Sequence, residues 1–239
     1  MNINTRYAVY FAPGKSSAWQ NFGAHWLGRD EFDNYSLLPP ALKDISPSQL
    51  EQLTLVPRRY GFHATLNAPF HLAPGVALPE LKRRVAKLAT TLRPLALGEM
   101  RATTLGNFVA LVPGIAVDIL QPLAAACVTD LNDLRRPLDA HDLNRRQKET
   151  LDARATELLT CFGYPHVLER FRLHFTLTGP VTADEAARVT RAVVPQVLHL
   201  NTHEPLVLDR LCLFMEPAAN SPFQRIADFT LGTTAGRAA

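Results

Sequence analysis

Two short stretches hold the residues that could do chemistry. "GFHATLNAPF" covers residues 61–70 and "RLHFTLTGPV" covers residues 172–181. Each carries His-x-Thr-Leu: His63, Thr65 and Leu66 in the first, His174, Thr176 and Leu177 in the second, with the histidines 111 positions apart. A proline follows each motif, Pro69 or Pro180. Imidazole titrates near neutrality, so one histidine can take a proton while the other delivers one. That division suits attack on phosphorus, where a nucleophile loses a proton and a leaving oxygen gains one. Thr65 and Thr176 can donate hydrogen bonds to the non-bridging oxygens, where charge accumulates. The scheme calls for no cofactor and no metal.

The elements that must present these groups are strands. Side chains alternate across a strand, so His63 and Thr65 share one face while Phe62, Ala64 and Leu66 take the other. His174 and Thr176 likewise oppose Leu173, Phe175 and Leu177. Asn67 and Thr178 continue the polar face at a third position. A single histidine on a half-buried strand is usually an ordinary hydrogen-bonded residue. Two copies in the same context favour the catalytic reading.

The surrounding pattern is itself duplicated. After the first motif, "LPELKRRVAKLATTL" is an amphipathic helix with Leu81, Val85, Leu88 and Leu92 at helical spacing. Two strands around Gly106-Asn107 follow. After the second motif, Thr182 and Glu185 form a capping box that starts a helix in "TADEAARVTRAVV". Two strands around a turn-rich break follow again, and "PLVLDRL" echoes "PLALGEM". Ahead of the first copy, "RYAVYFAP" reads as a strand. A short helix with Trp19, Phe22 and Trp26 on one face comes next. The proline-rich residues 36–59 read as loop with a helical turn over 47–53. Between the copies, Leu120, Leu123, Cys127, Leu131 and Leu134 line one side of a helical bridge. The bridge continues through Leu151, Leu158 and Phe162 to a stop at Gly163.

Composition bounds the rest. The chain has 239 residues, 47% hydrophobic and 20% charged, with a net charge of +3. That is ordinary for a globular protein, and too mildly basic for a nucleic-acid coat or a polybasic membrane anchor. No apolar run approaches the roughly 18 residues of a membrane span. The N-terminus does not read as a signal peptide, and Cys127, Cys161 and Cys212 form no C-x-x-C pair. The expectation is a cytoplasmic protein with reduced thiols.

Paired H-x-T motifs in a duplicated chain resemble the two-histidine (2H) phosphoesterase superfamily, which includes cyclic phosphodiesterases and RNA 2′,3′-cyclic ligases. "RYAVYFAP", "WLGRD", "RRYGFHATLNAPF" and "GYPHVLERFRLHFTLTGP" resemble a bacterial branch associated with phosphonate-utilisation operons, over nearly the whole chain. The resemblance implies an α+β, bilobal fold, with two antiparallel sheets facing a central groove and helices outside. The whole of 1–239 is then one bilobal domain: a first lobe over 1–116, a helical bridge over 117–166 and a second lobe over 167–239. It further implies a metal-independent phosphoric diester hydrolase acting on a small cyclic phosphate ester, with a cyclic ribose phosphate of phosphonate catabolism as the attractive case. The alternatives are an RNA-end 2′,3′-cyclic phosphodiesterase or ligase, with RNA the less favoured partner, and a non-catalytic phosphate-ligand-binding protein. Neither membrane attachment nor a particular oligomeric state is implied.

Other residues are candidates for substrate contact. Arg172 falls two before His174, on the groove face by alternation, with an ordinary surface arginine as the competing reading. Tyr10 shares a face with Ala8 and Arg6. Arg225 in the last strand region is a phosphate-contact candidate, and Arg29 in "WLGRD" is one through the resemblance alone. Tyr60 points away from His63 if the strand is regular. "PGKSS" at 13–17 echoes a phosphate loop but lacks its first glycine. His199 and His203 have i, i+4 spacing yet run into Pro205, so a zinc site is disfavoured. Arg145, Arg146 and Lys148 read as a solvated face.

Overall fold

Strand β1 (Arg6–Phe11) is the hinge of the architecture because both of its faces are covered. Tyr7, Val9 and Phe11 join the main hydrophobic core, while Ala8, Tyr10 and Ala12 join a smaller cluster with Cys212, Phe214 and Phe223 on the opposite face. The computed structural model describes residues 5–139 and 151–232. The remaining strands are β2 (Ala64–Phe70), β3 (Leu95–Ala96), β4 (Arg101–Leu105), β5 (Phe108–Val112), β6 (Phe175–Thr176), β7 (Val207–Leu208), β8 (Arg210–Glu216) and β9 (Gln224–Thr230). Seven of them form one antiparallel sheet in the order β4-β5-β6-β2-β1-β8-β9, and β3 pairs with β7.

The class is the α+β expected, and its strands are antiparallel. The large sheet has two arms, β4-β5-β6 and β2-β1-β8-β9, joined where Ala64 pairs with Phe175. The expected pair of facing sheets is thus continuous at that bridge. The arms do not follow the halves of the chain. β6, from the second copy, pairs with β5 of the first through Ala110–Thr176. The β8-β9 hairpin of the second copy attaches to β1. The echoed segments meet directly as Leu95 opposite Leu208 and Ala96 opposite Val207.

The helices are α1 (Ala18–Leu27), α2 (Pro47–Arg58), α3 (Leu78–Thr91), α4 (Val117–Thr129), α5 (Ala153–Phe162) and α6 (Ala183–His203). They too cross over: α3 packs on β8 and β9, and α6 packs on β4 and β5. The lobes drawn over 1–116 and 167–239 are therefore interleaved in space.

Local sequence explains most of these elements. In α1, Ser17 caps the start, Gly28 closes the end at φ 70°, and Trp19, Phe22 and Trp26 are buried. α2 is longer than the turn expected, because Ser46 and Gln49 form a capping box and Leu50, Thr54 and Pro57 bury one stripe. α6 has the Thr182–Glu185 box and runs on through Pro195 to His203, with Ala186, Val189, Val193, Val197 and Leu200 buried. His199 and His203 are thus helical after all, their rings 4.0 Å apart, but no third His, Cys, Asp or Glu completes a metal-holding group among the described residues. In the bridge, Leu120, Leu123, Cys127, Leu131 and Leu134 are all buried. α5 ends at Gly163, φ 74°. Arg145, Arg146 and Lys148 lie outside the described residues. No helix among the described residues is long and apolar enough to cross a membrane.

Candidate active site

The bridge between β2 and β6 brings the two motifs together. Ala64 opposite Phe175 in antiparallel register sets Thr65 across from His174 and His63 across from Thr176. Phe62, Ala64, Leu66, Leu173, Phe175 and Leu177 all turn into the main core, as alternation requires. Phe62 stacks on Phe175, centroids 4.8 Å apart, and Trp26 donates its indole N–H to the Leu177 carbonyl at 3.0 Å. These contacts clamp the two strands from behind. β6 is only two residues long for a reason. The Leu177 and Thr178 N–H groups both donate to the Val109 carbonyl, the Thr178 hydroxyl accepts from the Val109 N–H, Gly179 turns to Leu53, and Pro180 has no N–H to offer. Asn67, expected on the site face, is buried and donates to the Cys127 carbonyl at 2.9 Å. The third polar position of each motif therefore anchors its strand.

Both histidines are oriented alike. His63 donates Nδ1–H to the Gly61 carbonyl at 2.9 Å, and His174 donates Nδ1–H to the Arg172 carbonyl at 2.8 Å. Each bond fixes the tautomer and leaves Nε2 as the proton-accepting nitrogen. Thr65 Oγ1 is 3.3 Å from His63 Nε2. Together with Thr176, they line a cavity of about 590 Å³ walled by Arg6, Tyr10, Tyr60, Tyr164 and His166.

Burial governs the electrostatics. It pulls the His63 imidazole down to about 4, opposed by the Gly61 hydrogen bond and helped by His174. His174 is also lowered, first by burial and then by His166 nearby, although its Nδ1 bond lies at the exposed rim. Tyr10 stacks on His63 with centroids 3.8 Å apart and planes 24° from parallel, and burial raises its own phenol well above the usual range. Tyr10→Ala is expected to readmit water and move the His63 pKa up from about 4 toward 6.5, read by NMR titration of the imidazole. A value unchanged in the variant would show that the stack is not the source.

Behind the wall, Glu216 is fully buried and paired with Arg6 Nε at 2.5 Å and with Arg59. Arg6, Arg59 and Phe223 then hold Tyr60 in place: Tyr60 stacks on Phe223 at 5.1 Å, with the Arg59 guanidinium 5.3 Å from its ring.

Two arginines expected at the phosphate are elsewhere. Arg29 is buried, and its guanidinium donates to the Arg58 carbonyl at 2.8 Å, the Arg59 carbonyl at 3.0 Å, the Phe223 carbonyl at 3.0 Å and Asn34 at 2.7 Å. Arg225 is bidentate on Asp228 at 2.7 Å, donates to the Pro13 carbonyl at 2.7 Å, and lies 3.8 Å from buried Glu31. Five donors and no acceptor make a buried guanidinium a tie for carbonyls and carboxylates, and these are spent on the protein. Arg172 keeps its side chain exposed in a neighbouring cavity. Tyr10 stands in the site wall.

Sequence reading missed Tyr60, Tyr164 and His166. Tyr60 was misplaced because Gly61 adopts φ 79° and breaks the alternation that put it opposite His63. "GYPH" held a usable signal, an aromatic and an imidazole beside a chain-turning proline just upstream of the second motif.

Three comparisons add relatives. The chain is 34% identical over 222 residues to a ribose 1,5-bisphosphate phosphokinase PhnN from Janthinobacterium sp. (strain Marseille), covering 92% of this chain and 49% of that protein. It is 34% identical over 227 residues to the protein of the same name from Laribacter hongkongensis (strain HLHK9), covering 92% and 50%. The chain thus spans about half the length of these curated relatives. The solved E. coli LigT, in complex with 3′-AMP, aligns over 96% of this chain and 99% of its own, with 14% identity and a TM-score of 0.41. The model of a family described as "Protein of unknown function (DUF1045)" matches residues 65–224, from within the first His-Thr motif through the second and on to β9, and the chain belongs to that family.

Proposed function

We propose that this protein is a 2H-type, metal-independent cyclic phosphodiesterase that opens a small cyclic phosphate ester. One observation carries the reading: two His-Thr pairs, each histidine locked by the same Nδ1–H bond to the carbonyl two residues before it, meet across one antiparallel bridge at one cavity. A phosphoryl group centred there has an imidazole and a hydroxyl on either side. His63, the more enclosed, is the base that takes the proton from water. His174, at the open rim, is the acid that protonates the departing ester oxygen. Thr65 and Thr176 hold the non-bridging oxygens. Both proton transfers come from the chain's own side chains, so the scheme involves no metal.

The relatives named as phosphokinases of a ribose bisphosphate support a phosphorylated sugar as the substrate. A cyclic ribose phosphate therefore heads the candidates. Aromatic walls from Tyr10, Tyr60 and Tyr164 also accommodate a nucleobase, so nucleoside 2′,3′-cyclic phosphates are the second class. The test is a phosphorus NMR screen of both classes, with and without EDTA. Ring opening that survives EDTA is the expected result; binding with no ring opening across the panel would sink the reading.

The pH dependence has a defined sign. Below about 4, His63 is protonated and cannot accept a proton. His174 is lowered from 6.5, so above its own value it is neutral and cannot donate. The profile of kcat/KM is expected to be a bell with its maximum on the acid side of 6.5. A maximum above pH 8 would contradict the assignment.

A further inference from the structure

A second cavity, of about 670 Å³, adjoins the first. Thr65, Ala68, Tyr164, His166 and His174 line both, so the two spaces meet at the reacting centre. Their charges differ. In the first cavity the arginine, Arg6, is spent on buried Glu216. In the second, Arg170 Nη2 donates to both Asp152 carboxylate oxygens at 2.8 Å and Glu169 is bound to Arg154 at 2.5 Å. Arg172 is the exception: its side chain makes no hydrogen bond or ion pair among the described residues. It lines this cavity together with Phe108 and lies two residues before His174 in the chain. A guanidinium with five unused donors, at the wall of a cavity open to the reacting centre, is a ready partner for an oxyanion.

We propose that the second cavity receives a second anionic group of the substrate, held by Arg172, so that the preferred substrates are cyclic phosphate esters carrying another phosphate. This rests on the reading of the His-Thr cavity given above. Because the two cavities share Thr65 and His174, a phosphate on the primary hydroxyl of a five-membered sugar can enter the second while its ring phosphate lies between His63 and His174. It also puts the added negative charge next to His174, where it favours the protonated, proton-donating imidazole.

The experiment compares two cytidine 2′,3′-cyclic phosphates, one with a free 5′-hydroxyl and one with a 5′-phosphate, on the wild type, Arg172→Met and Arg172→Lys. The wild type is expected to favour the 5′-phosphorylated compound by about tenfold or more in kcat/KM, the scale of one charge-assisted contact. Arg172→Met should bring that ratio close to one, and Arg172→Lys should restore part of it. The Arg172 side chain is exposed, and its carbonyl, which orients His174, is kept in both variants. A wild-type ratio near one, or a ratio that persists in Arg172→Met, overturns the proposal. If neither compound turns over, nucleoside cyclic phosphates are excluded as the substrate class, and inorganic phosphate then decides the anion site separately. A phosphate-dependent shift of the Arg172 Nε–H signal upholds the anion site, and its absence overturns it.

Discussion

Replacing His63 with alanine is expected to lower kcat by about 10²–10⁴-fold, the range for losing one positioned proton-transfer group. His174→Ala should cost a similar factor, and the double variant little more than the worse single one, because in the proposed mechanism the two histidines act on one transition state. KM should change far less than kcat, since the cavity walls and both threonines remain. The measurement is steady-state turnover on whichever cyclic phosphate the screen identifies, alongside a melting curve. Neither histidine is in the hydrophobic core, so the melting temperature should fall by only a few degrees. A His63→Ala enzyme at wild-type rate would end the two-histidine mechanism.

The second large effect is expected at Gly61. Its φ of +79° lies where side chains are disfavoured, and a Cβ there would sit 2.9 Å from the Glu31 Cβ. The neighbour cannot easily yield. Glu31 is fully buried, its carbonyl accepts from the Arg225 N–H at 3.0 Å and its carboxylate accepts from Gln20 at 2.7 Å. Gly61→Ala must therefore move the loop, and with it the carbonyl that receives the His63 Nδ1 proton. Displacement on the order of 1 Å at a catalytic group costs about 10²-fold, and the left-handed backbone adds about 1–2 kcal/mol of destabilisation. Turnover and thermal melting check both parts. Nitrogen-15 NMR adds a selective readout: the His63 tautomer should become mixed while His174, held by Arg172, stays as it is. An unperturbed His63 tautomer together with full activity would show that the Gly61 carbonyl is not what aims the ring.

Gly61 also marks where the sequence stopped being legible. The faces of both His-Thr strands follow from alternation, and the start of α6 follows from the Thr182–Glu185 box, because those signals act within a few residues. Tyr60 needed the backbone angle of its neighbour. Arg29 and Arg225 needed their surroundings: an arginine's sequence position does not say whether its five donors meet a ligand or the carbonyls of residues 58, 59 and 223. Asn67 and Thr178 had the right parity, yet they serve the scaffold through partners on α4 and β5. The pairing of β6 with β5, and of β8 with β1, joins segments far apart in the chain, and hydrophobic periodicity is blind to that.

The crossing of the two copies sets the order in which this chain can mature as it leaves the ribosome. The hairpin β4-β5 is complete once residue 112 has emerged, but its outer helix, α6, and its inner neighbour, β6, come some 60–90 residues later. β1 and β2 pair with each other early, but the outer edge of β2 waits for β6 and that of β1 waits for β8. The early half packs α1 on α2 and α4 on β2 by itself, yet the edges of β1, β2 and β5 stay unpaired until the second copy has been made. Non-local pairing of this kind makes for slow folding and a window of exposure to aggregation. The arrangement that sets His63 opposite Thr176 is thus also one that defers the site until both copies have been made.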